Sequence, residues 1–218
     1  MGWISGNLPL IGALTLEHLY FALPPVVIGL VLAIPLGWLA NRTRVGRSLT
    51  INVAGLLYTV PSLALFVLLP PILGTRILDP ANVIIALTVY TVALLVRTVA
   101  DALSAVPAIV VNSATAMGFT PLRRFVAVEL PLAVPVVVAG LRVAAVSSIS
   151  LVTVGAVIGF GGLGQMFTDG FQRDIPAEII TGIVMVLLIA LVVDGLLLLL
   201  GRALTPWDRT RRTVGRPA

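Results

Sequence analysis

The sequence predicts an all-α, polytopic membrane protein with about five transmembrane helices, and three observations predict it. The first is composition: 59% of residues are hydrophobic and 11% charged, where a soluble domain carries roughly 25% charged residues. So little polar surface could not cover a globule in water. The second is distribution, because the mean hydropathy of +1.12 is concentrated in long apolar runs. Each run exceeds the about 20 residues that cross about 30 Å of hydrocarbon. The third is proline. Pro24, Pro25, Pro35, Pro61 and Pro135 fall inside those runs, where they would break soluble helices but are tolerated in membrane helices whose neighbours satisfy the freed backbone groups.

Taken in order, residues 1–14 carry no charge and lack the basic segment of a cleavable signal peptide. They are expected as an extracytoplasmic tail, and the first span, 15–40, as a retained anchor. Glu17 and His18, the single histidine, fall at its outer edge, where His18 is expected as an interfacial residue. The second span covers 49–73 and the third 81–103, followed by a polar connection at about 104–131. The fourth covers 132–160 and ends in GFGGLG at 159–164, read as a flexible turn. The fifth covers 177–204 and precedes a basic tail, 205–218. Residues 15–204 thus form one membrane domain.

Orientation follows from the arginines, since the chain has no lysine. Arg42, Arg44, Arg47, Arg123, Arg124, Arg202, Arg209, Arg211, Arg212 and Arg216 follow the odd-numbered spans, whereas the opposite loops hold only Arg76 and Arg173 among acidic residues. The positive-inside rule places the C-terminus in the cytoplasm and the N-terminus outside. The net charge of +5 is therefore topological rather than a nucleic-acid footprint, and the tail is also suited to anionic lipid.

Several chemistries lack residues. There is no cysteine, hence no disulfide and no thiolate nucleophile or metal ligand. Neither HExxH nor GxSxG spacing occurs, and without lysine the chain cannot build a P-loop. No strand is expected before GFGGLG to make it a dinucleotide site. Uphill transport would need an ion gradient or a partner that hydrolyses nucleotide. The ionisable residues inside the spans are Arg97, Asp101, Arg142 and Asp194, all expected towards cytoplasmic ends, with Arg97 and Asp101 on one helix face. No acid is expected at the midplane to relay protons, which counts against an ion-driven carrier but leaves carbonyl sites for sodium open.

The stretch NSATAMGFTPLRRFVAVELP at 112–131 interrupts this apolar chain. A helix opening at Pro107 is expected to stop at Gly118. Thr120 and Pro121 read as the N-cap and first residue of a second short helix ending at Leu130-Pro131. From the residues alone it is either an amphipathic connector on the headgroups or a docking element with small and apolar contacts. The spacing resembles the cytoplasmic loop of ABC-importer permeases. Asn112-Ser113-Ala114 stand where the family has Glu-Ala-Ala, then come three residues, Gly118, nine residues, Val128 and Leu130-Pro131. The segments YTVPSLALFVLLPPILG, VELPLAVPVVVAGLR and GGLG are similar to permeases of osmoprotectant importers, with methionine-importer permeases as an alternative. A secondary carrier driven by an ion gradient is the alternative from another class.

The resemblance implies a type I importer (MetI-like) permease fold without enzymatic activity or cofactor of its own. ATP and magnesium would sit on separate cytoplasmic ATPase subunits. The other implied partners are a second permease chain, an extracytoplasmic binding protein and membrane lipid. Asn112, Ser113, Ala114, Met117, Gly118 and Phe119 would face the ATPase, with Arg123, Arg124, Glu129 and Pro131 holding the loop. For the pathway, the small polar and aromatic residues Tyr58, Thr59, Pro61, Ser62, Tyr90, Thr91, Ser147, Ser148 and Ser150 are candidates, with helix packing as the competing role.

Overall fold

The computed structural model describes residues 2–207, whose regular structure is entirely helical, with no strand among them. A short helix, α1 (Gly2–Gly6), leads into α2 (Leu8–Ala40). The helix begins ahead of residue 15 because nothing charged interrupts it and Pro9 occupies its first turn, where a missing N–H is harmless. The remaining long helices are α5 (Pro80–Ser104), α8 (Leu130–Gly155) and α10 (Pro176–Leu204).

The central packing is α2 against α5. Gly29, Ala33 and Gly37 recur every four residues on α2 and put a smooth strip against α5, the small-residue device by which membrane helices approach closely. A Cβ added at Gly37 would meet Val99 Cγ1 at 2.7 Å and the Ala100 backbone nitrogen at 3.2 Å. Gly37→Leu therefore has to push the two helices apart at a cost of about 1–3 kcal/mol. The expected result is a several-fold loss of folded protein in the membrane, measured by fluorescence-detected size exclusion.

The second span differs from expectation. It is a pair, α3 (Arg44–Thr59) and α4 (Ser62–Leu73), bent by 100°. Pro61 lacks the N–H that would continue the helix and forces Val60 into the extended region, at φ −63° and ψ 128°. The carbonyl of Val60, freed by the break, accepts a hydrogen bond from the Tyr90 hydroxyl on α5. Among the described residues, four helices are long and apolar enough to span, and five spans result if the bent pair counts as one.

After α5 the chain forms α6 (Ala108–Ala116) and α7 (Pro121–Arg124). The second short helix does not stop at Leu130-Pro131 as expected. It passes through a π-helical turn, Phe125–Glu129, straight into α8. In that wider turn the Leu130 N–H bonds to the Phe125 carbonyl, and the register shift seats Pro131 without breaking the helix. A single 3₁₀ turn, Ala156–Ile158, closes α8; α9 (Gln165–Gln172) and α10 follow.

Two apolar cores stack along the helices. One gathers Phe21, Phe66, Leu87, Ile149, Leu163 and Met166 at the end remote from α6 and α7. The other gathers Val26, Leu95, Val99, Phe125, Leu141 and Ala145 nearer to them. Helix α10 packs on α8 and α9 and leaves most of its apolar surface exposed.

The charges inside the spans meet expectation in part: Arg97 and Asp101 pair on one face of α5, near its C-terminal end. Asp101 pairs more closely with Arg47 of α3 (2.6 Å) than with Arg97 (3.9 Å). Arg142 is not at a helix end: it stands halfway along the 26-residue α8 and forms a two-pronged pair with Asp194 of α10, at 2.7 and 2.6 Å. An opposite charge on the facing helix, rather than water at an interface, is what keeps both ions in place.

Candidate functional site

At the arginine-rich end, α6, α7 and the π-helical turn make a knuckle. Helix α6 ends at Ala116 with Met117 as its C-cap, and Gly118 follows at φ +82°. The Gly118 N–H bonds to the Thr115 carbonyl and the Phe119 N–H to the Ala114 carbonyl, a left-handed helix stop that favours glycine. Thr120 then caps α7, its hydroxyl accepting from the Arg123 N–H at 3.4 Å with Pro121 at the first position. These local bonds reproduce the helix, stop and restart read from the sequence.

Arg124 joins the two arms. It donates to Thr115 Oγ1 on α6 at 2.7 Å and to Glu129 Oε1 at 2.6 Å. The Arg123 guanidinium lies over the Phe119 ring at 4.7 Å. Below, Trp38 of α2 stacks on Phe125 at 4.8 Å, and Arg42 covers its other side. The knuckle is thus fixed to α2 and α8 as one piece. Arg124→Ala removes both bridges and leaves Glu129, whose side chain is only 12% exposed, without its counter-charge, at a cost of about 1–3 kcal/mol. Faster amide hydrogen exchange across α6 is expected, together with a several-fold loss of uptake.

The structure divides the predicted contact residues. Asn112, Ser113, Met117 and Gly118 are exposed, and Phe119 is half-buried. Ala114 turns inward, 2% exposed, beneath the turn, and so supports the knuckle from inside. Pro131 is half-buried in the first turn of α8. Sequence reasoning missed Ile109 and Leu122, which join Met117 (70% exposed) on the apolar outside of the knuckle. Ile109 precedes Asn112 and Ser113 by three and four residues, and that helical spacing was the available signal.

Among the pathway candidates, Tyr58, Tyr90, Thr91, Ser147 and Ser148 come together from α3, α5 and α8 around one narrow cleft of about 10 Å³, room for about one water molecule. Tyr58 and Tyr90 meet edge to face at 6.0 Å. Two of these residues also have packing duties. Tyr90 holds the Val60 carbonyl, and Ser148 donates to the Ala22 carbonyl of α2 at 2.8 Å. Thr59, Pro61, Ser62 and Ser150 are not brought into the cleft. Thr59 donates to the Leu56 carbonyl, and Pro61 and Ser62 make the bend between α3 and α4.

At the opposite end, His18 is not interfacial. It is fully buried, with Nε2 3.0 Å from the Ile149 carbonyl. The GFGGLG turn is clasped by the same stretch of α2: the Gly162 N–H donates to Glu17 Oε2 at 3.0 Å. With φ at +83°, a Cβ on Gly162 would lie 3.2 Å from both the Cα and Nδ1 of His18. The turn expected to be flexible is pinned because two adjacent side chains of α2 close over it.

The sequence from residue 25 to 206 matches the family described as binding-protein-dependent transport system inner membrane component. The chain belongs to this family. The permease is 34% identical over 192 residues to the choline transport system permease protein OpuBB of Bacillus subtilis, covering 88% of this chain and 87% of that one. It is 34% identical over 209 residues to the osmoprotectant import permease protein OsmW of Salmonella typhimurium, covering 94% and 96%. Among solved structures, it resembles a chain of the inward-facing MetNI methionine ABC transporter, with a TM-score of 0.74, 26% identity and coverage of 97% and 99%. It is a multi-pass transmembrane permease subunit of an ABC importer, with the MetI-like fold that the sequence implied.

Proposed function

We propose that this permease imports small methylated-ammonium solutes of the osmoprotectant class, such as glycine betaine, choline or carnitine. The observation that carries the solute class is likeness along nearly the whole chain to permeases named for such solutes. A separate cytoplasmic ATPase grips the knuckle, an extracytoplasmic binding protein delivers the solute, and a second permease chain completes the pathway. ATP and magnesium belong to the ATPase. The basis for the docking role is geometric: Ile109, Met117 and Leu122 are exposed on a knuckle tied rigidly to α2 and α8.

In this reading the arginine-rich end faces the cytoplasm and the N-terminus lies outside. Arg209, Arg211, Arg212 and Arg216 of the basic tail lie outside the described residues. Nucleotide binding draws the two ATPases together, the knuckles follow, and α2 and α8 carry the motion to the narrow cleft, a two-state element biased by a partner. Selection rests largely with the binding protein, since only 6% of the chain is aromatic and a cage for a methylated cation needs several rings.

The test has two parts. Thermal shift of the associated binding protein with glycine betaine, choline, carnitine and methionine identifies the solute. Uptake into inside-out and right-side-out vesicles, with ATP or with an imposed proton or sodium gradient, identifies the drive. A shift with methionine alone would replace the solute class. Uptake on a gradient without ATP would replace the mechanism with that of a secondary carrier.

A further inference from the structure

The mid-helix ion pair has no assigned task. Arg142 and Asp194 are 33% and 29% exposed, and they edge an open groove of about 360 Å³ with Ala139, Val143, Val146 and Ser147. Hydrocarbon cannot fill that groove cheaply, since a charged side chain facing lipid at mid-bilayer costs at least about 2.5–3.5 kcal/mol; such residues pair with one another and face the bundle interior or a water-filled cavity. A tie between α8 and α10 needs only the two bonds already made. Arg142 uses Nε and one Nη2 proton on Asp194, and its Nη1 makes no hydrogen bond among the described residues. Asp194 accepts one bond on each oxygen and retains lone pairs on both.

The pair therefore offers a donor edge and an acceptor edge side by side. Ser147 connects it to the rest of the pathway, because the same residue lines both this groove and the Tyr58–Tyr90 cleft. The exposed stripe of α8, through Val136, Ala139, Val143, Val146 and Ser150, runs between them.

We infer that Arg142 and Asp194 form a solute subsite in the translocation pathway, for a zwitterion carrying a carboxylate and a methylated ammonium. The carboxylate meets the free Nη1 edge of Arg142, and the cation lies against the Asp194 carboxylate. Because the pair neutralises itself when empty, the site holds a released solute only transiently, and it adds about tenfold discrimination between zwitterion and cation to the selection made by the binding protein. The solute class rests on the function proposed above; the exposure of the pair to the aqueous path does not.

The experiment uses the complete complex in proteoliposomes, with glycine betaine (zwitterion) and choline (cation without carboxylate) as competing solutes. In Arg142→Gln/Asp194→Asn, the betaine-to-choline uptake ratio is expected to fall roughly tenfold, the worth of one charge-assisted hydrogen bond. The reversed pair Arg142→Asp/Asp194→Arg restores a helix tie but presents the two charges the wrong way round, so the ratio stays low. An unchanged ratio in the neutral variant, or full recovery in the reversed one, overturns the subsite. Because the chain has no cysteine, a second readout needs no background removal. Val143→Cys and Val146→Cys are expected to react with a water-soluble methanethiosulfonate and to be protected by betaine, unlike the α10 position Leu191→Cys. Absence of reaction at both positions also overturns the proposal. If the unmodified complex moves neither solute, the solute class fails, and labelling still decides whether the pair faces water.

Discussion

Gly118→Val is expected to leave the permease folded in the membrane while cutting ATP-driven uptake by more than roughly tenfold, since a side chain in the left-handed region costs about 1–2 kcal/mol and a β-branched one more. The local surroundings do not oppose the substitution: a Cβ there meets nothing within 4 Å. The whole penalty therefore falls on the backbone at φ +82°, and the cheapest relief is to unwind the stop and let α6 run on or fray. Either outcome displaces Met117 and Phe119 from the knuckle and breaks the bond from Phe119 N–H to the Ala114 carbonyl. ATP hydrolysis should continue without transport. Gly118→Asn provides the control, because asparagine tolerates this conformation better than other residues with a Cβ; it should recover much of the uptake. Equal loss in the Val and Asn variants would contradict the backbone explanation.

The same exchange at Gly162 should do something different. Gly162→Val is expected to cost about 3 kcal/mol or more, combining left-handed strain with overpacking, and to deplete the protein from the membrane. Here φ is +83° and the added Cβ stands 3.2 Å from the Cα of His18, a backbone atom that cannot rotate away. Moving α2 to make room would also strip the His18 contact with the Ile149 carbonyl and the Glu17 bond to the Gly162 N–H. Quantifying membrane-inserted protein and its melting temperature checks this. A Gly162→Val variant as abundant and as heat-stable as the unmodified protein would show that the clasp contributes little. The two glycines have nearly the same φ, and neighbours alone separate an uncoupled transporter from an unstable one.

Much of this was legible in the sequence, for identifiable reasons. The long helices were readable because apolar run length is set by bilayer thickness. The knuckle was readable because a left-handed stop needs glycine and a helix start needs a cap, and Gly118, Thr120 and Pro121 stand in that order. The sequence marked Tyr58, Tyr90, Ser147 and Ser148 as polar positions on neighbouring spans, but which of the marked residues meet around one cleft was set by the packing of α3, α5 and α8.

What was not legible depends on contacts between residues far apart in sequence. His18 looked interfacial because its partner, Ile149, lies on another helix. Arg142 and Asp194 looked like helix-end charges because a pairing partner 52 positions away leaves no local trace. The 100° bend at Val60-Pro61 depends on Tyr90 accepting the task of satisfying a freed carbonyl. Pro131 failed as a stop signal because a π-helical turn two residues earlier absorbs its misfit.

In the proposed mechanism the knuckle transmits force from a separate ATPase on the cytoplasmic side. The most direct measurement places a cysteine at Met117, the exposed C-cap of α6 in a chain with no other cysteine, and applies a short maleimide–benzophenone reagent, whose photoreactive arm needs no thiol on the partner, to membranes holding the assembled complex. The expected result is a cross-link between Met117→Cys and the ATPase subunit whose yield changes when ATP is added. A Met117→Cys that never cross-links to the ATPase, or that reacts with an impermeant reagent from the outside of intact cells, would contradict the claim.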